Sequence, residues 1–459
     1  MLEILNYIYV PLAVVFLFGA AVFVHEFGHF WVALKCGLKV EGFAIGFGPK
    51  IVSWTRNGIE YSLRWIPAGG FVKLPQMVTS EMIEGEGHKS IPPADPIAKI
   101  LVAAAGPFMN MVFAFAIASL IYFVGLPVPV NPSIVGYVEP NSAEEKLGIK
   151  PGDRIISVDG KLAKSWQDVQ MASVLALTNV LPVVIERDGK RQTYQLSAKV
   201  SDIVGLKILN LDPKDHPVVR MVEAKGAAAA AGLQLNDEFI SFGGVPILSQ
   251  DQLIGLIRKR PNEATEVVIK RGEEKLKLSV TPAVDPTTKL GRMGVALGTS
   301  ATTLYEIQHP LPWTQIADVW NRTIDTFRAL FHSKQTGVGA KDLSGPVGIL
   351  TLLAIWVNTD YRLALNFLVL LNVNLAILNM MPIPVLDGGH IAMSILEKIR
   401  RKPLSARVVE YSTTAFAVLL ISFMLYVTFF DIKRFPLFQT MFKHKSQFEQ
   451  QKSDPASNR

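Results

Sequence analysis

Cysteine is nearly absent from this chain of 459 residues, in which Cys36 is the only one. An internal disulfide is therefore impossible, and so is a zinc site built from several thiolates. Any part that faces an oxidising compartment must be stable without bridges. Charge is scarce too, at 19% of residues against 49% apolar. That is the balance of a membrane protein diluted by something large and soluble. No basic run interleaved with aromatics is present, so nucleic acid is not an expected partner. The net charge of +7 fits anionic lipid on a cytoplasmic membrane face instead. The length predicts two or more domains.

Four segments approach or exceed the ~20 apolar residues needed to cross a bilayer: 5–34, 98–126, 364–386 and 411–430. The first has no basic start, and its apolar run is too long for a signal peptide. Lysine and arginine set the expected orientation. The first ten residues have neither. Lys35, Lys39, Lys50, Arg56, Arg64 and Lys73 follow the first segment, and Lys398, Arg400, Arg401, Lys402 and Arg407 follow the third. Both loops are thus expected in the cytoplasm, with the N-terminus and 127–363 outside. Lys433, Arg434, Lys443 and Lys445 near the other end pull against this, but the parity of four spans places the tail outside as well.

The outer stretch holds a repeat. Tyr137-Val138-Glu139 recurs as Met221-Val222-Glu223, Gly148–Asp153 as Gly232–Asp237, and Val183–Arg187 as Val267–Arg271, all at an offset of 84 residues. Strand patterns such as Ile155–Gly160 and helical stretches near 166–176 and 249–259 predict two copies of one α+β domain. The first copy's Gly-Ile-Lys-Pro-Gly-Asp followed by Ile-Ser-Val-Asp-Gly resembles PDZ domains. The second has lost the Pro-Gly and reads Asn236-Asp237. Such domains add an extended peptide to a sheet edge, or they act as bulk that keeps folded proteins away. Between 311 and 331, Leu311, Ile316, Trp320, Ile324, Phe327 and Phe331 recur at helical spacing. This predicts an amphipathic helix that lies on the membrane, against the spans or on the second repeat copy.

The sharpest chemistry is His25-Glu26-Phe27-Gly28-His29. Histidines at i and i+4 share one helix face, so both imidazoles reach one zinc ion, and Glu26 stands beside them as a general base. The motif lies within an apolar span, where each ionisable side chain costs about 2.5–3.5 kcal/mol. Three together demand a function or a compensating partner. Two histidines leave zinc one protein ligand short. Asp387, in Pro382-Ile383-Pro384-Val385-Leu386-Asp387-Gly388-Gly389, sits at the inward end of the third span, the depth at which the first span carries its histidines. Prolines break the helix there and glycines permit unusual backbone angles. His390 follows closely and is assigned to the surroundings of the site, since His25, His29 and Asp387 complete a set.

HExxH in the first span and NxxPxPxLDGG in a later one resemble the site-2 protease family of intramembrane metalloproteases. Gly69-Gly70-Phe71-Val72-Lys73, Gly106-Pro107-Phe108-Met109-Asn110 and Leu343-Ser344-Gly345-Pro346-Val347-Gly348-Ile349 fit that family too. The resemblance covers roughly 5–435. It implies a polytopic α-helical membrane protein of four spans, with two periplasmic α+β PDZ domains and a membrane-associated β-hairpin region at 40–75. The divisions expected are 1–126, first half of the protease core; 127–210 and 211–300, the PDZ domains; 301–363, helix and linker; 364–435, second half of the core; and 436–459, a tail. The implied activity is that of a zinc metalloendopeptidase in a bacterial inner membrane. It would cut transmembrane segments of anti-sigma factors, after a first protease has removed the outer domain, and remnant signal peptides. Asn374 and Asn379 would contact substrate backbone, or else hydrogen-bond between helices, and Asn110 would brace the spans. Two other readings compete: a PDZ membrane adaptor with a closed structural metal site, and an ion transporter, which would carry inverted repeats in its spans.

Overall fold

The computed structural model describes residues 2–77, 94–129, 131–200, 206–213, 217–223, 226–272, 274–285, 288–299, 305–402 and 404–443. The chain forms two compact units. One comprises Met1–Pro127, Ile307–Asp325 and Ala340–Arg459, and the other Val128–Glu306 and Thr326–Gly339.

The first unit is helical. Helix α1 (Leu2–Lys35) leads into a two-stranded ribbon, β1 (Gly42–Arg56) and β2 (Ile59–Lys73), followed by α2 (Pro96–Val124). Further on come α3 (Pro312–Phe331), α4 (Pro346–Thr359), α5 (Tyr361–Asn379), α6 (Asp387–Arg400) and α7 (Ala406–Lys443). Helix α2 is central and packs on α1, α5 and α6. Its approach to α1 is close because Gly28 has no side chain: a Cβ there would lie 2.9 Å from the Ala105 carbonyl carbon and from Met109 Cγ. The outward faces are apolar, with Phe16 74%, Phe123 77% and Leu425 67% exposed. Water would penalise such faces, and hydrocarbon would not.

Among the described residues, five stretches are long and apolar enough to cross a membrane, one more than the four expected. The additional stretch is 340–359, whose α-helix covers only its last 14 residues. At 1.5 Å per residue α4 is about 21 Å long, short of a ~30 Å hydrocarbon layer. Two other boundaries move. The third span was expected to run to residue 386, but α5 stops at Asn379, because Pro382 and Pro384 cannot continue it. The chain from Met380 to Leu386 is a turn, and Asp387 opens a new helix. The tail was expected from 436, yet α7 continues to Lys443; residues 444–459 lie outside the described ones. In α3, Gln315 donates to Ala118 O at 3.0 Å and Thr323 to Asn374 at 2.6 Å, so this part of the amphipathic helix lies against α2 and α5.

The ribbon folds back on itself. Phe43 is paired with both Val72 and Tyr61, and Ala44 with both Phe71 and Ser62. The first part of β1 therefore lies between two arms of β2, and the arm ending at Lys73 is left at an edge.

The second unit contains two similar halves. In the first, a five-stranded sheet packs on a helix at Trp166–Leu175; in the second, a six-stranded sheet packs on one at Gln250–Arg258. Ser165 and Ser249 cap these helices, each accepting the backbone N–H three residues on. The repeated Asp and Arg are partners: Arg187 holds Asp153 and donates to Gly148 O at 2.7 Å, while Arg271 holds Asp237 and donates to Gly232 O at 2.8 Å. These are bidentate pairs on buried carboxylates, 1% and 0% exposed at the aspartates, which fix turn to strand. Gly152 has φ 96°, and its counterpart Asn236 takes φ 69°, which asparagine tolerates. That is how the second copy lost the glycine and kept the turn. The halves touch where Ser249 Oγ donates to Asp212 at 2.5 Å.

Candidate metal centre

Helical geometry places His25 and His29 on one face of α1, with ring centroids 4.8 Å apart and Nε2 atoms 3.2 Å apart. Asp387, in the first turn of α6, brings Oδ2 to 3.3 Å from His25 Nε2 and Oδ1 to 3.5 Å from His29 Nε2. The tight LDGG turn aims it there. A Cβ on Gly389 would come 2.6 Å from Pro384 Cα, so only glycine lets the loop fold over the start of α6.

His29 Nδ1 lies 2.7 Å from Val102 O. A carbonyl only accepts, so Nδ1 carries the hydrogen and Nε2 of the neutral ring is a bare lone pair. His25 Nδ1 meets the amide of Asn110, a residue with no exposed surface, at 3.1 Å. With the Asn110 nitrogen turned to the ring, its Oδ1 has no partner. Rotating the amide lets Oδ1 accept from Nδ1–H and bares His25 Nε2 as well, with the amide N–H groups taking the unpartnered position. Asp387 Oδ2 is also buried without a hydrogen-bond donor. In that tautomer three acceptors converge with no proton between them, an arrangement that a cation would stabilise. Ligands about 2 Å from a tetrahedral zinc stand roughly 3.3 Å apart, close to the 3.2, 3.3 and 3.5 Å found here. Two imidazoles and one carboxylate leave a fourth position open. The three side chains keep only 14%, 11% and 19% of their surface exposed, which limits water without shutting it out.

Glu26 adjoins the cluster from the same turn of α1, and Gly70 on β2 lies against it: a Cβ on Gly70 would meet Glu26 Cγ at 2.8 Å. Gly106 on α2 backs onto the imidazoles, where a Cβ would lie 2.6 Å from His29 Cε1 and 2.8 Å from His25 Cε1. Of the asparagines expected at substrate, Asn374 already accepts a hydrogen bond from Thr323, and Asn379 is the last residue of α5. His390 is not part of the converging set. Sequence reasoning gave Asn110 a bracing role and did not see Val102 O. The pattern Gly106-Pro107-Phe108-Met109-Asn110 was the available signal, since it puts a small residue and an amide one turn apart on the face of α2 toward α1. Replacing Asn110 with leucine is expected to loosen zinc about 10–100-fold. Dialysis against a graded chelator, followed by metal analysis, checks this; unchanged zinc retention would remove Asn110 from the site.

A metal-dependent hydrolase set among apolar helices is the class of protein to which this fold and donor set correspond. The sequence profile described as Peptidase family M50 matches residues 13–423, and the chain belongs to that family, the site-2 proteases. It is 30% identical over 438 residues to the regulator of sigma-E protease RseP of Escherichia coli K12, covering 91% of this chain and 96% of the other. Protease RseP of Yersinia pestis is also 30% identical, over 442 residues, with the same coverage. A putative zinc metalloprotease of Vibrio cholerae is 27% identical over 453 residues, covering 92% and 98%. Among solved structures, the PDZ domain of an SdrC-like protein from Listeria monocytogenes covers 18% of this chain at 19% identity and a TM-score of 0.17.

Proposed function

We propose that this protein hydrolyses peptide bonds within the transmembrane segments of other membrane proteins, anti-sigma factors and remnant signal peptides among them, in a bacterial inner membrane. The observation that carries this reading is the convergence of His25, His29 and Asp387 beside Glu26, inside helices with apolar outer faces. His25, His29 and Asp387 would hold zinc, which when bound acidifies water and polarises a carbonyl. Glu26 takes the proton of the attacking water on its carboxylate and passes it to the leaving amide nitrogen. The edge arm of β2 at Gly70 lies against Glu26, so an unwound substrate segment paired along that edge would present its backbone to the base. The side-chain amides of Asn374 and Asn379 would engage the same backbone.

In this reading α1, α2, α5 and α7 are four spans, the cluster would lie toward the cytoplasm and the repeated halves in the periplasm, as the placement of lysine and arginine supports. Those halves, read as PDZ domains, would either bind peptide ends or exclude bulky proteins. The adaptor alternative needs a closed four-ligand site, whereas the cluster numbers three among the described residues.

A helical substrate hides its carbonyls in backbone hydrogen bonds, so unwinding should limit the rate. A single-span substrate with a central Gly-Pro is expected to be cut at least about tenfold faster than one of leucine alone, since helix interiors lose ~1 and ~3 kcal/mol at those residues. Equal rates measured in bilayer discs would rule out substrate unwinding as the limiting step.

A further inference from the structure

Helix α6 is inside out for a helix in water. Its buried face carries Ser394 and Glu397, 3% and 8% exposed. Its outer face carries Ala392, Ile395, Leu396 and Ile399 at i, i+3, i+4 and i+7, with Ile399 74% exposed. The buried acid is not stranded: Lys99 of α2, 5% exposed, donates to Glu397 Oε2 at 3.0 Å, and Leu404 N donates to Oε1 at 3.2 Å. Around the outer stripe stand the exposed Lys398, Arg400, Arg401, Lys402 and Arg407. An apolar stripe ending in a cluster of cations is the pattern of a helix seated in a lipid headgroup layer.

We infer that α6 is an interfacial anchor for anionic phospholipid headgroups, and that lipid bound there seats the carboxylate of Asp387. The inference rests on the proposed reading in which the cluster lies near the cytoplasmic leaflet. The link is mechanical. Asp387 is the first residue of α6, and Lys99–Glu397 clamps the helix to α2 one turn before Val102, the residue that orients His29. Headgroups that hold the C-terminal end of α6 therefore fix a short rigid element with the third ligand at its other end.

The test uses the full-length chain in bilayer discs of phosphatidylcholine alone or with phosphatidylglycerol added. Cleavage and zinc retention are expected to rise with phosphatidylglycerol. Lys398→Gln, Arg400→Gln and Lys402→Gln together should lower cleavage about fivefold in the anionic discs only, leaving the neutral ones unchanged. Because Cys36 is the only cysteine, Cys36→Ser with Ile399→Cys gives one labelling position. A fluorophore there should be quenched by spin-labelled lipid and shielded from aqueous iodide. Iodide quenching without lipid quenching, the same response to phosphatidylglycerol in the triple variant as in wild type, or disulfide-linked dimers through position 399 would each overturn the anchor. Absence of cleavage in every bilayer, with the label still in lipid, would sink the protease reading and leave the anchor standing.

Discussion

Glu26→Gln is expected to abolish peptide-bond hydrolysis while leaving zinc bound. Glutamine keeps the shape of the side chain and its fit against Gly70, where the approach is tight. It cannot take a proton, and a positioned general base is worth roughly 10²–10⁴ in rate. None of the three converging acceptors belongs to Glu26, so the metal should remain at wild-type stoichiometry. Single-turnover cleavage of a single-span substrate in bilayer discs, with metal analysis of the same sample, separates the two effects. Cleavage within twofold of wild type would take the base role from Glu26. Loss of zinc together with activity would make Glu26 a ligand.

Gly106→Ala should have a comparable effect by the opposite route, losing the metal with the base intact. On an exposed helix the change would stabilise by up to ~1 kcal/mol. Here the added carbon would lie 2.6 Å from His29 Cε1 and 2.8 Å from His25 Cε1. Helix α2 cannot back away cheaply, because Ala105 is pressed on Gly28 and Val102 and Asn110 are bonded to the two rings. The imidazoles must turn instead, and misplacement by about 1 Å costs on the order of 100-fold in rate. The expected outcome is a folded protein, by thermal unfolding, with little bound zinc and little activity. Normal zinc content would mean that the rings have slack which these distances deny.

The convergence of His25, His29 and Asp387 was legible because the proposed chemistry tolerates few residue types. Two histidines one helical turn apart with a glutamate between them, inside an apolar run, admit few other uses, and Asp387 was the carboxylate at the matching depth. The repeat was legible because Asp153–Arg187 and Asp237–Arg271 are the same ion pair made twice at one offset. What escaped was long-range. The contact of Asn110 with His25 spans 85 residues, and that of Thr323 with Asn374 spans 51, and neither leaves a local pattern. The end of α5 at Asn379 was misplaced because hydropathy continues through Met380–Leu386 after the hydrogen-bond ladder has stopped. Helix α4 was passed over within the stretch 301–363 assigned to helix and linker, although Pro346 suits a first helical position. The polar inner face of α6 could not be read before Lys99 was seen to meet Glu397.

The most direct test of the central claim is to locate the cut bond. Full-length protein and a single-span substrate with its outer domain removed would share a bilayer disc, and the products would be weighed by mass spectrometry before zinc removal, after it and after zinc is restored. The expected result is a bond broken inside the apolar segment, lost with the metal and recovered with it. Cleavage confined to residues outside the segment, or unchanged after the metal is stripped, would contradict it.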